Sequence, residues 1–497
     1  MAQTANYLAY DLGASSGRAV VGRFDGRVIS LQEIHRFPNQ GVQVFERFHW
    51  DVLRLYSEMM EGLRQCVQSC GPDLMGIGID TWGVDFALLD AKDRLLGNPR
   101  CYRDPRTQGM MEEAFRRVPR GEIFAQTGIQ FMALNTLYQL LAMVVGESPQ
   151  LHMAKTFLMM PDLLNFWLTG RKVCEFSDAT TTQFYNPTQA TWATGMLQQM
   201  DIPTDMLPEI VPPATSLGPL LPSVAGEMGV HSAEVIAPAC HDTGSAVAAV
   251  PMAGPNALYI SCGTWALLGA ELGKPAITPT ALAHNFTNEG GVCNTFRFLK
   301  NISGLWLVQE CRRIWERSGH AYTYDALTQM ASEAPAFLAF VDPDHADFLT
   351  PGDMPARIRA FCRQTRQPDP QTEGAVIRCA LESLALKCRY VLGQLEEALN
   401  RRMDTIHIVG GGTQNGLLCQ FVASATGCPV VAGPVEATAF GNILMQAMAR
   451  GQIGSLAEAR EIVRNSTKVA QLDPGEKAPW DQAYERFLKV LAQNSES

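Results

Sequence analysis

The chain is expected to be a mixed α/β protein of two related domains flanking a central cleft, and three observations predict this. Near the amino terminus, Tyr7-Leu-Ala-Tyr-Asp-Leu-Gly-Ala-Ser-Ser-Gly-Arg-Ala-Val-Val-Gly22 reads as an apolar strand, a tight turn of small and hydroxyl residues, and a second apolar strand. The same order recurs about half a chain later in Ala257-Leu-Tyr-Ile-Ser-Cys-Gly-Thr-Trp-Ala-Leu-Leu-Gly269. The length of 497 residues suffices for roughly two or three domains with ample core. The expected division is 1–248 and 249–497, with residues 251–255, bounded by prolines, as a hinge.

Taken in order, the first part reads as strands at 6–11, 18–24, 26–36, 75–81 and 85–89. Between them, 50–70 carries Leu53, Leu55, Met59, Met60 and Leu63 near helical spacing and is expected to be an amphipathic helix. Helices are expected at 138–145 and at 161–170, the latter punctuated by Pro161 near its start and Gly170 at its end. A proline-rich loop over 203–222 leads to a strand from Glu234 that runs into a helix start at His241-Asp-Thr243. After the second strand–turn–strand come helices at 305–318 and 374–399, then a buried strand over 405–409 that ends in Gly410-Gly-Gly-Thr-Gln-Asn415. The only internal repeat expected is one domain against the other.

A formal net charge of −10 argues against nonspecific binding to nucleic acid or to an anionic membrane. No apolar run approaches the length of a membrane span, and Met1-Ala-Gln-Thr-Ala-Asn6 lacks the pattern of a secretory signal. The 13 cysteines are scattered, many in apolar settings such as Cys240, Cys262 and Cys428. Cys66 and Cys70 sit one helical turn apart without a second pair at zinc spacing, so reduced structural thiols and a cytoplasmic compartment are expected.

The chemistry concentrates in a few short stretches. A glycine-rich turn lets backbone N–H groups approach an anion, and hydroxyls add donors without bulk. Two such turns in related domains suggest a polyphosphate gripped from both sides, hence a nucleotide-dependent phosphotransferase or ATPase. Alone, Gly13 to Arg18 is equally an ordinary hairpin turn. Asp11 suits Mg²⁺ held through water, or caps its own turn; Arg18 has a donor fork able to reach phosphate. Neither the Gly-Lys-Ser/Thr of a P-loop nor a dinucleotide Gly-x-Gly-x-x-Gly is present in this stretch. The three glycines Gly410–Gly412 imply either a nucleotide lying on the backbone or a closely packed helix start. Asp242 is a cap or a base whose ionised form the helix dipole favours. Thr81-Trp-Gly-Val-Asp85 either fills core or offers a sugar an aromatic face and a hydroxyl acceptor, and Asn301 caps the following helix or bonds a substrate hydroxyl.

Taken together, Asp11-Leu-Gly-Ala-Ser-Ser-Gly-Arg18, Gly78-Ile-Asp-Thr-Trp-Gly-Val-Asp-Phe86, Tyr102-Arg-Asp104, Asn135-Thr-Leu-Tyr-Gln-Leu140, Ala179-Thr-Thr-Thr-Gln183, His241-Asp-Thr243, Ser261-Cys-Gly-Thr-Trp265, Asn288-Glu-Gly-Gly291, Ile408-Val-Gly-Gly-Gly-Thr-Gln-Asn415 and Gly433-Pro-Val-Glu-Ala437 resemble the FGGY family of carbohydrate kinases, within the actin-like ATPase superfamily. The resemblance spans nearly the whole chain. It implies two actin-like (ribonuclease H-like) domains, the first mainly for sugar and the second mainly for ATP, with Mg²⁺ as cofactor. It implies transfer of the γ-phosphoryl of ATP to O1 of a small ketose, with no nucleic-acid or membrane partner. The Trp-Gly-Val-Asp-Phe and His-Asp-Thr stretches imply L-rhamnulose as that ketose, with L-fuculose or D-xylulose as alternatives; an actin- or chaperone-type ATPase and a noncatalytic sugar sensor are the readings outside this class.

Carried over by residue, the resemblance makes Asp242 the catalytic base. It assigns sugar contacts to Gly83, His241, Asp242, Thr243 and Asn301, ATP contacts to Ala14, Ser15, Ser16, Gly17, Arg18, Thr264, Gln309 and Gly411, and the metal to Asp11. A cysteine pair that some relatives carry around Val422 and Thr426 is absent.

Overall fold

The computed structural model describes residues 4–252 and 254–494, which form two compact units. One comprises residues 4–251, 271–298 and 437–467; the other comprises 252, 254–270, 299–436 and 468–494. The boundary at Pro251 falls within the segment expected as a hinge, of which residue 253 lies outside the described residues, as do residues 1–3 of the amino-terminal stretch.

The first unit is built on a six-stranded sheet in the order Thr215–Pro219, Glu234–Ala237, Gly76–Thr81, Ala5–Leu12, Ser16–Phe24, Ile29–Pro38. The last three form an antiparallel meander, whereas Ala5–Leu12, Gly76–Thr81 and Glu234–Ala237 run parallel. Strand alternation sends Leu8, Tyr10, Leu12, Ala19, Val21, Ile77 and Ile79 into one core. There the helix Val52–Cys70 packs, with Gly62 against Tyr10 and Ala19 and the Tyr10 hydroxyl donating to the Met59 carbonyl at 2.6 Å. Leu55, Met59 and Leu63 are buried as expected, but Leu53 is 61% exposed because it lies off that stripe. The opposite face carries Gly22, Gly76 and Gly78, where the missing side chains admit Ile443, Asn442 and Gln446 of the helix Ala437–Ala449. Asp11, Arg18 and Asp80 share this second face by the same alternation.

The second unit repeats the plan. Six neighbouring strands of its seven-stranded sheet run Phe296–Ser303, Trp265–Leu272, Ala257–Cys262, Thr405–Val409, Val430–Ala432, Ala470–Leu472. A leading antiparallel hairpin is followed by two parallel neighbours and an antiparallel edge, as in the first unit. The long helix Glu373–Leu399 packs closely on Tyr324–Glu333, and Gly374 lies against the Met330 carbonyl, where a Cβ would sit 2.4 Å away. The internal repeat expected from the two turns is therefore a repeat of sheet topology.

Candidate active site

In the first unit the site residues gather at the carboxyl ends of the three parallel strands, where open α/β sheets place their ligands. Asp11 and Asp80 are direct partners in the register of Ala5–Leu12 and Gly76–Thr81. Thr81 bridges His241, with its N–H donating to the Cys240 carbonyl at 2.8 Å. Gly83 follows two residues after this link.

Asp11 accepts from Nε of Arg18 at 3.0 Å and from its second terminal nitrogen at 2.7 Å, across the hairpin register. Arg18, expected to reach a phosphate, is thus held by Asp11 in this structure. The turn before it is closed by Gly13 N–H on the Ser16 carbonyl at 2.9 Å and by the Asn39 side-chain amide on the Gly13 carbonyl at 2.8 Å. Ser15 is exposed at its tip, Ala14 and Ser16 are half-buried, and Gly17 is buried under the Phe37 ring, where a Cβ would lie 2.4 Å away.

Asp242 is the first residue of the helix Asp242–Ala248; the cap position belongs to His241, so the capping alternative does not hold. Its Oδ1 accepts from the Thr243 hydroxyl at 3.0 Å, and 29% of its side chain is accessible. The expectation that the helix start would keep this carboxyl strongly acidic is reversed. Burial raises its pKa, opposed by His241 and reinforced by Asp11.

Asp80, to which the sequence reading gave no role, is fully buried. Its Oδ2 accepts from the Asn442 amide at 2.6 Å, while Oδ1 has no hydrogen-bond partner. Burial first, and then the Asp11 carboxylate, push it well above the usual carboxylate range. The signal for it was a lone carboxylate inside the apolar run Gly76–Thr81. Glu289 and Arg297 were also missed: Arg297 is fully buried and approaches Nδ1 of His241 at 3.0 Å and Glu289 at 3.2 Å.

In Thr81-Trp-Gly-Val-Asp85, Trp82 and Asp85 take the core-filling alternative. Asp85 is fully buried and accepts from the indoles of Trp50 and Trp82 at 2.6 and 2.9 Å, from the Tyr102 N–H at 3.0 Å and from the Gln139 amide at 3.0 Å. Burial still wins over these donors and raises its pKa to about 6. With its oxygens committed, Asp85 is a brace and not an acceptor for sugar hydroxyls. Trp82 is buried against Trp50, ring centroids 4.1 Å apart. Gly83 is glycine because a Cβ would meet the Thr181 side chain at 2.9 Å.

The second unit gathers Thr264, Gln309 and Gly411 around its own turn. The Thr264 hydroxyl donates to Oε1 of Gln309 at 3.0 Å, and the turn is tied by Leu305 N–H on the Gly263 carbonyl at 2.9 Å. Of the three consecutive glycines, Gly410 has φ +83° and Gly412 packs where a Cβ would lie 2.4 Å from Sγ of Cys262. Around Gly411, and likewise Gly263, an added Cβ meets nothing within 4 Å, leaving open backbone able to accept a nucleotide. Asn301 lies in the strand Phe296–Ser303, and the cap of the next helix is Leu305, so Asn301 is not a cap.

Among the described residues no group of three or more His, Cys, Asp or Glu is placed to hold a metal, and no helix is long and apolar enough to cross a membrane. All thirteen cysteines are free; Cys66 and Cys70 approach at 3.9 Å as thiols.

Comparison with known proteins gives the same picture along the whole chain. Residues 6–249 match the model of the FGGY family of carbohydrate kinases, N-terminal domain, and residues 258–450 match its C-terminal domain. A rhamnulokinase of Bacteroides thetaiotaomicron is 42% identical over 486 residues, 98% of this chain and 99% of that protein. A rhamnulokinase of Halalkalibacterium halodurans is 43% identical, covering 93% and 98%, and one of Bacillus subtilis is 37% identical, covering 94% and 95%. Among solved structures, a ligand-bound xylulose kinase from Lactobacillus acidophilus superposes with a TM-score of 0.82 at 16% identity, covering 99% of both chains. A glycerol kinase from Plasmodium falciparum with ADP gives 0.77 at 14% identity, covering 99% of this chain and 98% of that one.

Proposed function

The chain belongs to the FGGY family of carbohydrate kinases, and on that premise we propose that it transfers the γ-phosphoryl group of ATP to O1 of L-rhamnulose, giving L-rhamnulose 1-phosphate and ADP. The observation that carries the choice of sugar is the near full-length identity of 37% to 43% with relatives bearing the rhamnulokinase name.

In this reading Asp242 accepts the O1 proton as the hydroxyl attacks, and its raised pKa makes it a better acceptor than an exposed aspartate. Phosphoryl transfer passes through a loose transition state, so positioning matters more than strong basicity. Gly83, His241, Thr243 and Asn301 orient the sugar. Ala14 to Arg18, Thr264, Gln309 and Gly411 hold the nucleotide, with open backbone at Gly411 in support. The first unit, which takes in 271–298 and 437–467 besides the expected 1–248, serves mainly the sugar, and the second mainly ATP. We assign Mg²⁺ to Asp11. Asp11 would hold the ion through water once its carboxylate turns from Arg18. When bound, the ion neutralises charge on the phosphate oxygens. The enzyme is assigned to the cytoplasm, in keeping with thirteen free thiols.

The test is ADP release with L-rhamnulose, L-fuculose, D-xylulose and glycerol as acceptors, with the product located by phosphorus NMR. L-rhamnulose should give the highest kcat/KM and a 1-phosphate. Preference for another ketose would reassign the sugar, and ATP turnover indifferent to any sugar would overturn the kinase reading.

A further inference from the structure

We propose that Arg297 is a positioning residue that fixes the tautomer of His241, keeping Nδ1 unprotonated so that the ring turns an Nε2–H toward Asp242. The inference rests on the role proposed for Asp242 and adds to it the device that orients its neighbour.

The argument begins with donors and acceptors. A guanidinium has N–H groups and no acceptor. The approach of Arg297 to Nδ1 of His241 at 3.0 Å is therefore a hydrogen bond only if Nδ1 offers its lone pair. A proton there would set two N–H groups against each other in a fully buried place. Glu289 offers the competing arrangement, since its carboxylate lies 3.4 Å from Nδ1 and would accept a proton from it. The shorter contact and the neighbouring geometry decide against that. Arg297 lies 3.2 Å from the same Glu289 oxygen and so supplies that carboxylate with its counter-charge.

Arg297 is itself enclosed and tied. Its Nε donates to the Gly290 carbonyl at 2.8 Å, and none of its surface is exposed. The backbone of His241 is held from the other side by its N–H on the Ser177 hydroxyl at 3.1 Å. With ring position and Nδ1 both settled, the remaining proton sits on Nε2, 3.6 Å from Oδ1 of Asp242. That separation is just too long for a hydrogen bond. The ring therefore presents a donor edge to the carboxylate without consuming it. The wrong tautomer would present a lone pair to an anion and deprive the carboxylate of that support.

The experiment uses the full chain labelled with ¹⁵N-histidine, and His241→Asn identifies the His241 signals in long-range ¹H–¹⁵N spectra. Without sugar at neutral pH, wild type should show His241 protonated at Nε2 and bare at Nδ1. Arg297→Lys keeps a cation beside Glu289 but loses the fork that serves both Gly290 and His241. It should move proton density onto Nδ1 and lower kcat for the ketose about 10–100-fold, by analogy with the loss of partners that orient metal-bound imidazoles. The KM for ATP should stay within about twofold of wild type, since the tautomer acts on the proton-transfer step rather than on nucleotide binding. A wild-type His241 protonated at Nδ1 overturns the proposal, and so does an Arg297→Lys enzyme with normal kcat and an unchanged spectrum. If Arg297 variants do not fold, the wild-type spectrum alone decides. Loss of the kinase reading is seen separately, as absence of sugar-dependent ADP release from wild type.

Discussion

Gly441→Ala tests how tightly the proposed catalytic helix is seated. Gly441 lies in Ala437–Ala449, where that helix crosses Asp242–Ala248, and an added Cβ would sit 1.8 Å from the Ser245 carbonyl oxygen and 2.5 Å from its carbon. Restoring an ordinary separation of about 3.5 Å requires the helices to part by about 1.7 Å. Both contact atoms are backbone, so no side-chain rotation relieves the clash. Overpacking of this kind costs about 3 kcal/mol at the upper end, against about 1 kcal/mol regained from the better helix propensity of alanine. The net expectation is about 2 kcal/mol lost in urea unfolding, together with a fall in kcat as Asp242 shifts from its seat. Gly393→Ala is the control, because it too is a helical glycine but an exposed one with nothing within 4 Å of the added Cβ. It should be neutral or stabilising by about 1 kcal/mol. A Gly441→Ala protein within about 0.5 kcal/mol of wild type and fully active would refute the packing argument.

Three further outcomes are expected. Asp242→Asn should lower kcat by about 10²–10⁴-fold while ATP affinity, measured by titration without sugar, is retained; near-normal turnover would remove Asp242 from the role of base. Glu175 is fully buried, and burial raises its pKa from 4.5 to about 7. A raised folded pKa means that its stabilising contribution is complete below about 4.5 and is lost as pH rises through about 7, a span of about 3 kcal/mol. Glu175→Gln should therefore flatten the decline in urea midpoint between about pH 5 and pH 8, and parallel slopes would count against the assignment. Ellman titration of the native protein should detect the exposed Cys293 first and the half-buried Cys70 and Cys428 more slowly, with all thirteen thiols appearing on unfolding without reductant. A smaller total would mean a disulfide.

Local chemistry made the two hairpins legible, because a turn between apolar strands announces itself within a dozen residues. The strands Ala5–Leu12, Ser16–Phe24 and Thr405–Val409 and the helices Val52–Cys70 and Glu373–Leu399 fall close to where periodicity and punctuation placed them. What stayed hidden depends on long-range pairing. Nothing near Ala437–Ala449 indicates that this helix joins the first unit, where Asn442 bonds Asp80 from 362 residues away. Arg297 carries no local signal of its place, which is set by Gly290 and His241 closing around it. Asp242 was read from its helix dipole, a local term, whereas burial and the Asp11 carboxylate, both tertiary, set its acidity. Of the three glycines at 410–412, Gly410 and Gly412 follow the close-packing alternative, against Cys262, and Gly411 is open.

Where Gly83 is proposed to meet the sugar, its neighbours Trp82, Val84 and Asp85 fix the backbone it sits on. Val84 has φ +68°, a left-handed conformation that costs a β-branched residue roughly 1–3 kcal/mol. Such a residue persists only if its surroundings over-determine it. Its N–H donates to the Thr181 hydroxyl at 3.0 Å, and its carbonyl accepts from the Thr136 hydroxyl at 2.6 Å and the Gln139 amide at 3.2 Å. On one side Asp85 anchors the chain through two indoles, and on the other Thr81 is tied to Cys240, the residue before His241. The peptide at Gly83 is thereby left little freedom of its own, and the Thr181 contact forbids any side chain there. Trp82, Val84 and Asp85 hold a bare stretch of backbone that follows the bridge from Thr81 to His241. Backbone held in this way can discriminate one hydroxyl arrangement from another, because a misplaced hydroxyl meets groups that do not move to accommodate it.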